Sequence, residues 1–358
     1  MIDIQPILGG NRLALSRVLT QIENDTPAGR AALSALFPHT GRAHLIGVTG
    51  APGTGKSSLV NQLARYYRTP SPELVEGGGS TGLPRGSGDS GGNAPEGNTT
   101  PPRVAVVCVD PSSPFTGGAV LGDRIRMIEL SGDTGVFIRS MASRGALGGI
   151  AKATAGIVQA FDAAGYDLIL IETVGAGQAE VDIARLAHTT LVVEAPGLGD
   201  DIQAIKAGIL EIADVLVVNK ADRPGVENTE RALRSMLQLA HPVQRIFRHH
   251  SAAPSPLAER AGGEVWLPPI CRTVASEGQG IAEVAAAIAS HRAHLETSGD
   301  LQRRERARLQ NELELRIQET LVSRWRAGAN GSYETMLDKL VARQISPEEA
   351  ALTLVRTP

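Results

Sequence analysis

Only 3% of the residues are aromatic, and two cysteines are the only thiols in a chain of 358 residues. Cys108 lies inside an apolar run and Cys271 far from it in sequence, so neither a disulfide framework nor a four-thiolate zinc site can be built, and a reducing compartment is expected. No stretch reaches the roughly 18 apolar residues needed to span a bilayer. The opening Met1-Ile-Asp-Ile-Gln-Pro6 has neither the basic nor the apolar region of a secretion signal. The expectation is therefore a cytoplasmic protein without a membrane partner. Excess positive charge is missing too. The 35 Lys and Arg stand against 38 Asp and Glu, a net charge of −3, which argues against a nucleic-acid partner. What remains is ordinary globular composition, with 42% hydrophobic and 20% charged residues. That length suits about two domains, or one enlarged domain with appendages.

Short apolar runs alternate with helical patterns. Residues His44 to Thr49, Arg103 to Val109, Leu168 to Ile171, Thr190 to Val193 and Val215 to Val218 read as buried strands rich in Val, Ile and Leu. Helices are expected over Ser57 to Tyr67, Gly149 to Ala164 and Ile202 to Ile212. The alternation predicts an α/β three-layer fold with a mainly parallel sheet, ligands binding at the carboxyl ends of its strands. Residues 70 to 103 differ: 9 Gly and 6 Pro in 34 positions cannot bury enough surface to offset ordering entropy. They are expected to be a disordered insertion, tolerable because loop-closure cost grows slowly with length. The resulting division is a helical amino-terminal arm over 1–42, a nucleotide domain over 43–295 interrupted at 70–103, and a helical tail over 296–358. In that tail Leu309, Leu313, Ile317, Leu321 and Trp325 recur every four residues, as in a helix that packs against its twin, so a homodimer is expected. Arg303, Arg304, Arg306 and Arg308 at its start could equally be a solvated face.

Gly50-Ala51-Pro52-Gly53-Thr54-Gly55-Lys56-Ser57 fits the P-loop pattern, after an apolar strand and before a helix. Its glycines let backbone N–H groups converge on phosphates, helped by the positive end of the helix dipole; Ser58 extends the cradle. Lys56 is expected on the β and γ phosphates and the Ser57 hydroxyl on Mg²⁺. Asn219-Lys220-Ala221-Asp222 matches the guanine pattern Asn-Lys-x-Asp. A carboxylate at Asp222 can accept from both N1–H and the 2-amino group of guanine, whereas adenine offers an acceptor at N1 and no 2-amino donor, so GTP is favoured over ATP. Asp110 after the second strand, Glu172 after the third, and Asp123 in Gly122-Asp123-Arg124 are candidate metal ligands by their hard oxygens, and each could instead be an ordinary cap or loop residue. Glu172-Thr-Val-Gly175 resembles a GTPase switch with Glu for Asp, and Gly175 could donate to the γ-phosphate. Where Ras-like enzymes place a water-orienting glutamine stands Ala176, with Gln178 two residues on, so unassisted hydrolysis is expected to be slow. Glu172, Asp110 and Gln178 all remain candidates for positioning the attacking water.

From Ile46 to Asp222 the chain resembles the SIMIBI group of P-loop GTPases, and more narrowly the methylmalonyl-CoA mutase-associated GTPase family. The narrower resemblance rests on Val-Asp110-Pro-Ser-Ser-Pro-Phe-Thr-Gly-Gly118, Leu-Gly122-Asp123-Arg-Ile-Arg126, Arg144-Gly-Ala-Leu-Gly-Gly149, Glu172-Thr-Val-Gly-Ala-Gly-Gln178 and Pro196-Gly-Leu-Gly-Asp200-Asp201-Ile-Gln-Ala-Ile-Lys206. It implies a GTP-dependent chaperone of an adenosylcobalamin-dependent acyl-CoA mutase, with an amino-terminal arm, a dimerisation tail, and a third switch carrying Asp200, Asp201 and Lys206. That charged segment could also be an acidic helix start favoured by the dipole. Two departures stand out: the insertion at 70–103, and Val274 where a serine usually opens the loop Val274-Ala275-Ser276 against guanine O6. The backbone N–H groups of Ala275 and Ser276 are expected to serve there. Competing readings are a metal-insertion GTPase for a nickel enzyme, a transport-linked kinase as some relatives are labelled, and a GTP-binding interaction protein without turnover. Eight histidines whose one adjacent pair is His249-His250, with no Cys-x-x-Cys, weigh against the first.

Overall fold

Continuous runs of Val, Ile and Leu suit strands buried on both faces, and they form the middle of a seven-stranded parallel sheet among the described residues. The computed structural model describes residues 3–69, 100–111, 130, 132–143, 149–173, 179–197, 212–240, 266–328 and 332–356. In chain order the strands are β1 (His44–Thr49), β2 (Val104–Pro111), β3 (Val136–Ser143), β4 (Leu168–Thr173), β5 (Thr189–Glu194), β6 (Val215–Asn219) and β7 (Ile270–Thr273), arranged β3-β2-β4-β1-β5-β6-β7. The pleat sends alternate residues to opposite faces: Ala105, Val107 and Val109 of β2 join one core, Val104, Val106 and Cys108 the other.

The first core is closed by α2 (Arg12–Glu23), α3 (Pro27–Leu36), α5 (Gly149–Ala163) and α6 (Ala179–Leu186). On the opposite face lie α4 (Lys56–Arg68) and α8 (Ile281–Ser298), while α7 (Val226–Ala240) covers Val192, Leu216 and Val218 on the same face as the first core. Local chemistry starts these helices. Asn11 Oδ1 accepts from the N–H groups of Leu13 and Ala14, and Thr26 Oγ1 from Gly29 ahead of Pro27. The amino-terminal helices, with the short α1 (Gln5–Leu8), share the first core instead of standing apart as an arm: Ile7, Leu15, Leu19 and Leu36 are buried in one cluster with Ile157 and Phe161.

The chain divides into two units, Met1–Arg304 and Glu305–Pro358, the boundary falling within α9 (Asp300–Gly328). In the second unit α10 (Ser332–Val341) and α11 (Pro347–Arg356) accompany that helix, and Trp325 Nε1 donates to Leu354 O at 2.9 Å. A reciprocal cap starts α11: Ser346 N donates to Glu349 Oε2, and Glu349 N to Ser346 Oγ.

Sequence and structure also differ at the sheet edges and at the end of the expected insertion. Strands β3 and β7 carry no unbroken apolar run because they are the sheet edges, and Arg139 and Arg272 interrupt them. Of the expected insertion, residues 70–99 lie outside the described residues, but residues 100–103 are held in place. Arg68 Nη1 donates to the carbonyls of Pro101 and Pro102, and Arg103 N donates to Asp167 while its guanidinium lies 4.3 Å over the Tyr166 ring. The helix expected over Ile202 to Ile212 falls, except for its last residue, outside the described residues.

Candidate active site

Parallel strands bring their carboxyl ends together, and every described residue singled out above for nucleotide chemistry lies at that rim. The loop from Gly50 to Gly55 joins β1 to α4, whose first residues are Lys56, Ser57 and Ser58. Glycine is required at two of its turns. Gly50 has φ +138°, and a Cβ there would lie 2.1 Å from Val193 O; Gly55 has φ +93°, and a Cβ would meet Asn219 Nδ2 at 2.4 Å. Thr54 Oγ1 closes the turn on Ala51 O at 2.9 Å, while Pro52 and Gly53 are exposed at its tip. Lys56 is buried, its Nζ donating to the carbonyls of Gly50 at 2.8 Å and Ala51 at 3.0 Å.

Asn219, the last residue of β6, ties the loop to the far side of the rim. Its Nδ2 donates to Thr54 O at 2.8 Å, and its Oδ1 accepts from Thr273 Oγ1 and from the Ala275 N–H, each at 3.0 Å. Lys220, at φ +57°, reaches back to donate from Nζ to Gly53 O at 2.6 Å. Two consecutive motif residues thus brace two consecutive loop carbonyls. Asp222 is exposed beside them, in the turn that Arg223 N closes on Lys220 O. Val274 is buried and pairs with Gln279, and Ser276 is exposed. The Ala275 N–H, expected on the base, is engaged with Asn219, which leaves Ser276 as the backbone donor of the expected pair. Thr273 was not singled out in the sequence: a threonine closing a short, mixed strand gives no periodic signal.

Glu172 belongs to β4 and is not a residue beyond it; it lies level with Val48 of β1 and Cys108 of β2. Its Oε1 accepts from Ser57 Oγ at 2.6 Å, and both side chains are buried. Nearby, Thr173 Oγ1 donates to Thr49 Oγ1 at 3.3 Å. Asp110 likewise falls inside β2, level with Ala142. Asp123, Gly175, Gln178, Asp200, Asp201 and Lys206 lie outside the described residues, so what the structure brings together is the loop, Ser57, Glu172 and the guanine motif.

Comparison with known proteins gives this arrangement its relatives. The profile described as methylmalonyl Co-A mutase-associated GTPase MeaB matches residues 15–71 and 81–330. The chain belongs to the MeaB family. A Pyrococcus abyssi protein named as a GTPase is 39% identical over 98% of this chain and 95% of its own length, and the GTPase ArgK of Escherichia coli is 32% identical over 84% and 78%. A solved structure of a LAO/AO transport system kinase superposes with a TM-score of 0.61 at 23% identity, covering 98% of this chain and 95% of its own. As a MeaB-family protein the chain is a P-loop GTPase that binds guanine nucleotide. The match breaks only over 72–80, so the segment 70–103 is not as a whole foreign to the family. Composition tells what a segment can bury, not what relatives carry. Among the described residues no helix is long and apolar enough to cross a membrane.

Proposed function

We propose that this MeaB-family GTPase couples GTP binding and hydrolysis to cofactor delivery, protection or reactivation of an adenosylcobalamin-dependent acyl-CoA mutase. The observation that carries the reading is the family match running through the P-loop, Glu172 and the guanine motif. In this reading Gly50 to Ser58 cradle the phosphates through backbone N–H groups, and Lys56 leaves its two loop carbonyls to donate to the β and γ phosphates. Asp222 accepts from the guanine edge. Asn219 holds the loop and the base site at one spacing, and Ser276 offers its N–H to O6. Water attacks the γ-phosphorus, the bond to the β–γ bridging oxygen breaks, and GDP and phosphate leave. Glu172, Asp110 and Gln178 are the candidates for orienting that water, and Gly175 for donating to the γ-phosphate.

Ser57 Oγ and Glu172 Oε1, buried and 2.6 Å apart, are hard oxygens of the kind Mg²⁺ prefers, so the residues present fit that ion, with Asp110 and Asp123 as further carboxylates. When bound, the ion neutralises charge that builds on the phosphate oxygens. Asp200, Asp201 and Lys206 are proposed to report the nucleotide state to the mutase.

The exposed stripe Leu313, Ile317, Leu321 and Val322 on α9 supports a homodimer, which sedimentation would read as twice the 37.5 kDa chain mass; a single chain mass at micromolar concentration contradicts it. The function itself is tested by titrating purified methylmalonyl-CoA mutase into the full chain loaded with GDP or with a non-hydrolysable GTP analogue. A complex whose affinity depends on the nucleotide is expected, and absence of a complex in both states overturns the reading.

A further inference from the structure

At the amino ends of the strands, opposite the nucleotide rim, a polar chain runs through the interior. Asp214, just ahead of β6, is almost completely buried. Its Oδ1 accepts from Arg304 Nη2 at 2.8 Å, and its Oδ2 from Arg304 Nη1 at 2.9 Å and Thr190 N at 2.8 Å. Arg304, in the first turns of α9, also donates from Nη1 to His188 O at 2.8 Å. His291 Nε2 lies 3.2 Å from Asp214 Oδ1 but off the line of a good hydrogen bond. The chain continues from His291 Nδ1 to Thr189 Oγ1 at 2.9 Å and from there to His44 Nε2 at 2.8 Å. His291 and Thr189 are wholly buried, so no substrate reaches this Thr-His-Asp sequence and it is not a hydrolytic triad.

The proton positions follow from the chemistry. An ionised carboxylate only accepts, and a lone pair on Nε2 would be repelled at 3.2 Å, so His291 carries its proton on Nε2. Its Nδ1 then accepts from the Thr189 hydroxyl, which accepts in turn from His44 Nε2–H. Burial pushes the Asp214 carboxyl up, and His291 and Arg304 more than offset it, leaving it below the ordinary carboxylate range. Burial, with Arg292, His188 and His291 nearby, keeps His44 neutral against the opposing pull of Asp214. The remaining groups facing the chain are Asp300, beside Arg304, and His294, reached through the Trp266 ring that also lies on His291.

We propose that Asp214 and Arg304 form a proton-linked latch: when the first turn of α9 leaves the amino edge of the sheet, the Asp214–His291 pair takes up one proton from solvent. Removing Arg304 takes away two of the three hydrogen bonds to a buried carboxylate together with its counter-charge, a state that only a proton or a new cation can relieve. His291 is the group placed to take it. On gaining a proton at Nδ1 it donates to Thr189, whose hydroxyl turns to His44 Nε2; the His44 proton then resides on Nδ1. One proton enters, no covalent bond between heavy atoms breaks, and the chain reverses direction. Opening of residues 300–304 is thereby favoured by acid.

The test follows the histidine nitrogens of the ¹⁵N-labelled full chain between about pH 5.5 and 8, with amide exchange over 298–304 measured alongside. The wild-type protein is expected to hold both His291 and His44 as Nε2–H at neutral pH. In Arg304→Gln, His44 is expected to switch from Nε2–H to Nδ1–H as pH falls over this range, and residues 300–304 to exchange about tenfold faster. Arg304→Lys restores part of each change. His44 keeping Nε2–H across the range in Arg304→Gln, or unchanged exchange over 300–304, overturns the latch. Should Arg304→Gln not fold, Asp214→Asn serves: its exchange over 300–304 is expected to lose the pH dependence seen in the wild type beyond that of intrinsic exchange, and a retained dependence contradicts the proposal.

Discussion

At the scale of single residues, Lys56 and Asp222 are proposed to carry separable parts of nucleotide recognition. Lys56 is held over the loop by two carbonyls, so truncation removes a cation that no described neighbour replaces there; Lys220 is committed to Gly53 O. Lys56→Ala is expected to lower GTP hydrolysis by about 100-fold or more and to weaken GTP binding sharply, with turnover and calorimetric titration as the readouts. Asp222→Asn turns an acceptor pair into a group that can donate to a 2-keto oxygen. Its preference is expected to move from guanine toward xanthine nucleotides, checked by competition between GTP and XTP; undiminished guanine preference would remove Asp222 from the base site. Both residues were legible because their motifs are spaced by phosphate and base chemistry. Thr273 and Ala275 were not assigned their observed role, since a hydroxyl and a backbone N–H meeting Asn219 Oδ1 across more than fifty positions leave no pattern in a single sequence.

At the scale of elements, the turn from β1 into α4 is built tightly against β6. Adding one methyl at Gly55 puts a Cβ into the Asn219 amide and imposes a left-handed backbone that costs an alanine about 1–2 kcal/mol. Gly55→Ala should therefore lower both the melting temperature and GTP affinity, and a variant that binds and melts like the wild type would show that the brace is not required. The five strands read from sequence, β1, β2, β4, β5 and β6, are the five inner ones, where burial on both faces enforces unbroken apolar runs. The edges β3 and β7 need not be apolar on both faces, so they escaped. Amphipathicity revealed α2, but that pattern could not tell an arm from a layer of the core, because both present one apolar stripe. It is Ile22 and Leu33 in one cluster with Ile157 and Phe161 that decide for the layer.

At the scale of the whole molecule, the two ends of the sheet answer to different variables, nucleotide at the carboxyl rim and protons at the amino edge. His44 is buried and neutral, its basicity depressed well below the ordinary 6.5. The unfolded chain therefore binds a proton that the folded one refuses. Stability from this group is fully present above pH 6.5 and declines as pH falls toward the folded value, with a slope of up to about 1.4 kcal/mol per pH unit. Urea midpoints recorded from pH 7.5 to about 5 should fall accordingly, and His44→Gln should flatten the decline; an equal slope in the variant would assign it to other groups.

Whether GTP turnover serves a cobalamin-dependent mutase, as proposed, is read by GTP hydrolysis by the full chain alone and with purified adenosylcobalamin-dependent mutases at matched Mg²⁺ and salt. Unassisted hydrolysis is expected to be slow and to rise selectively by about tenfold or more with one mutase, equal to about 1.4 kcal/mol of barrier. Intact GTP binding with no response to any mutase would contradict it.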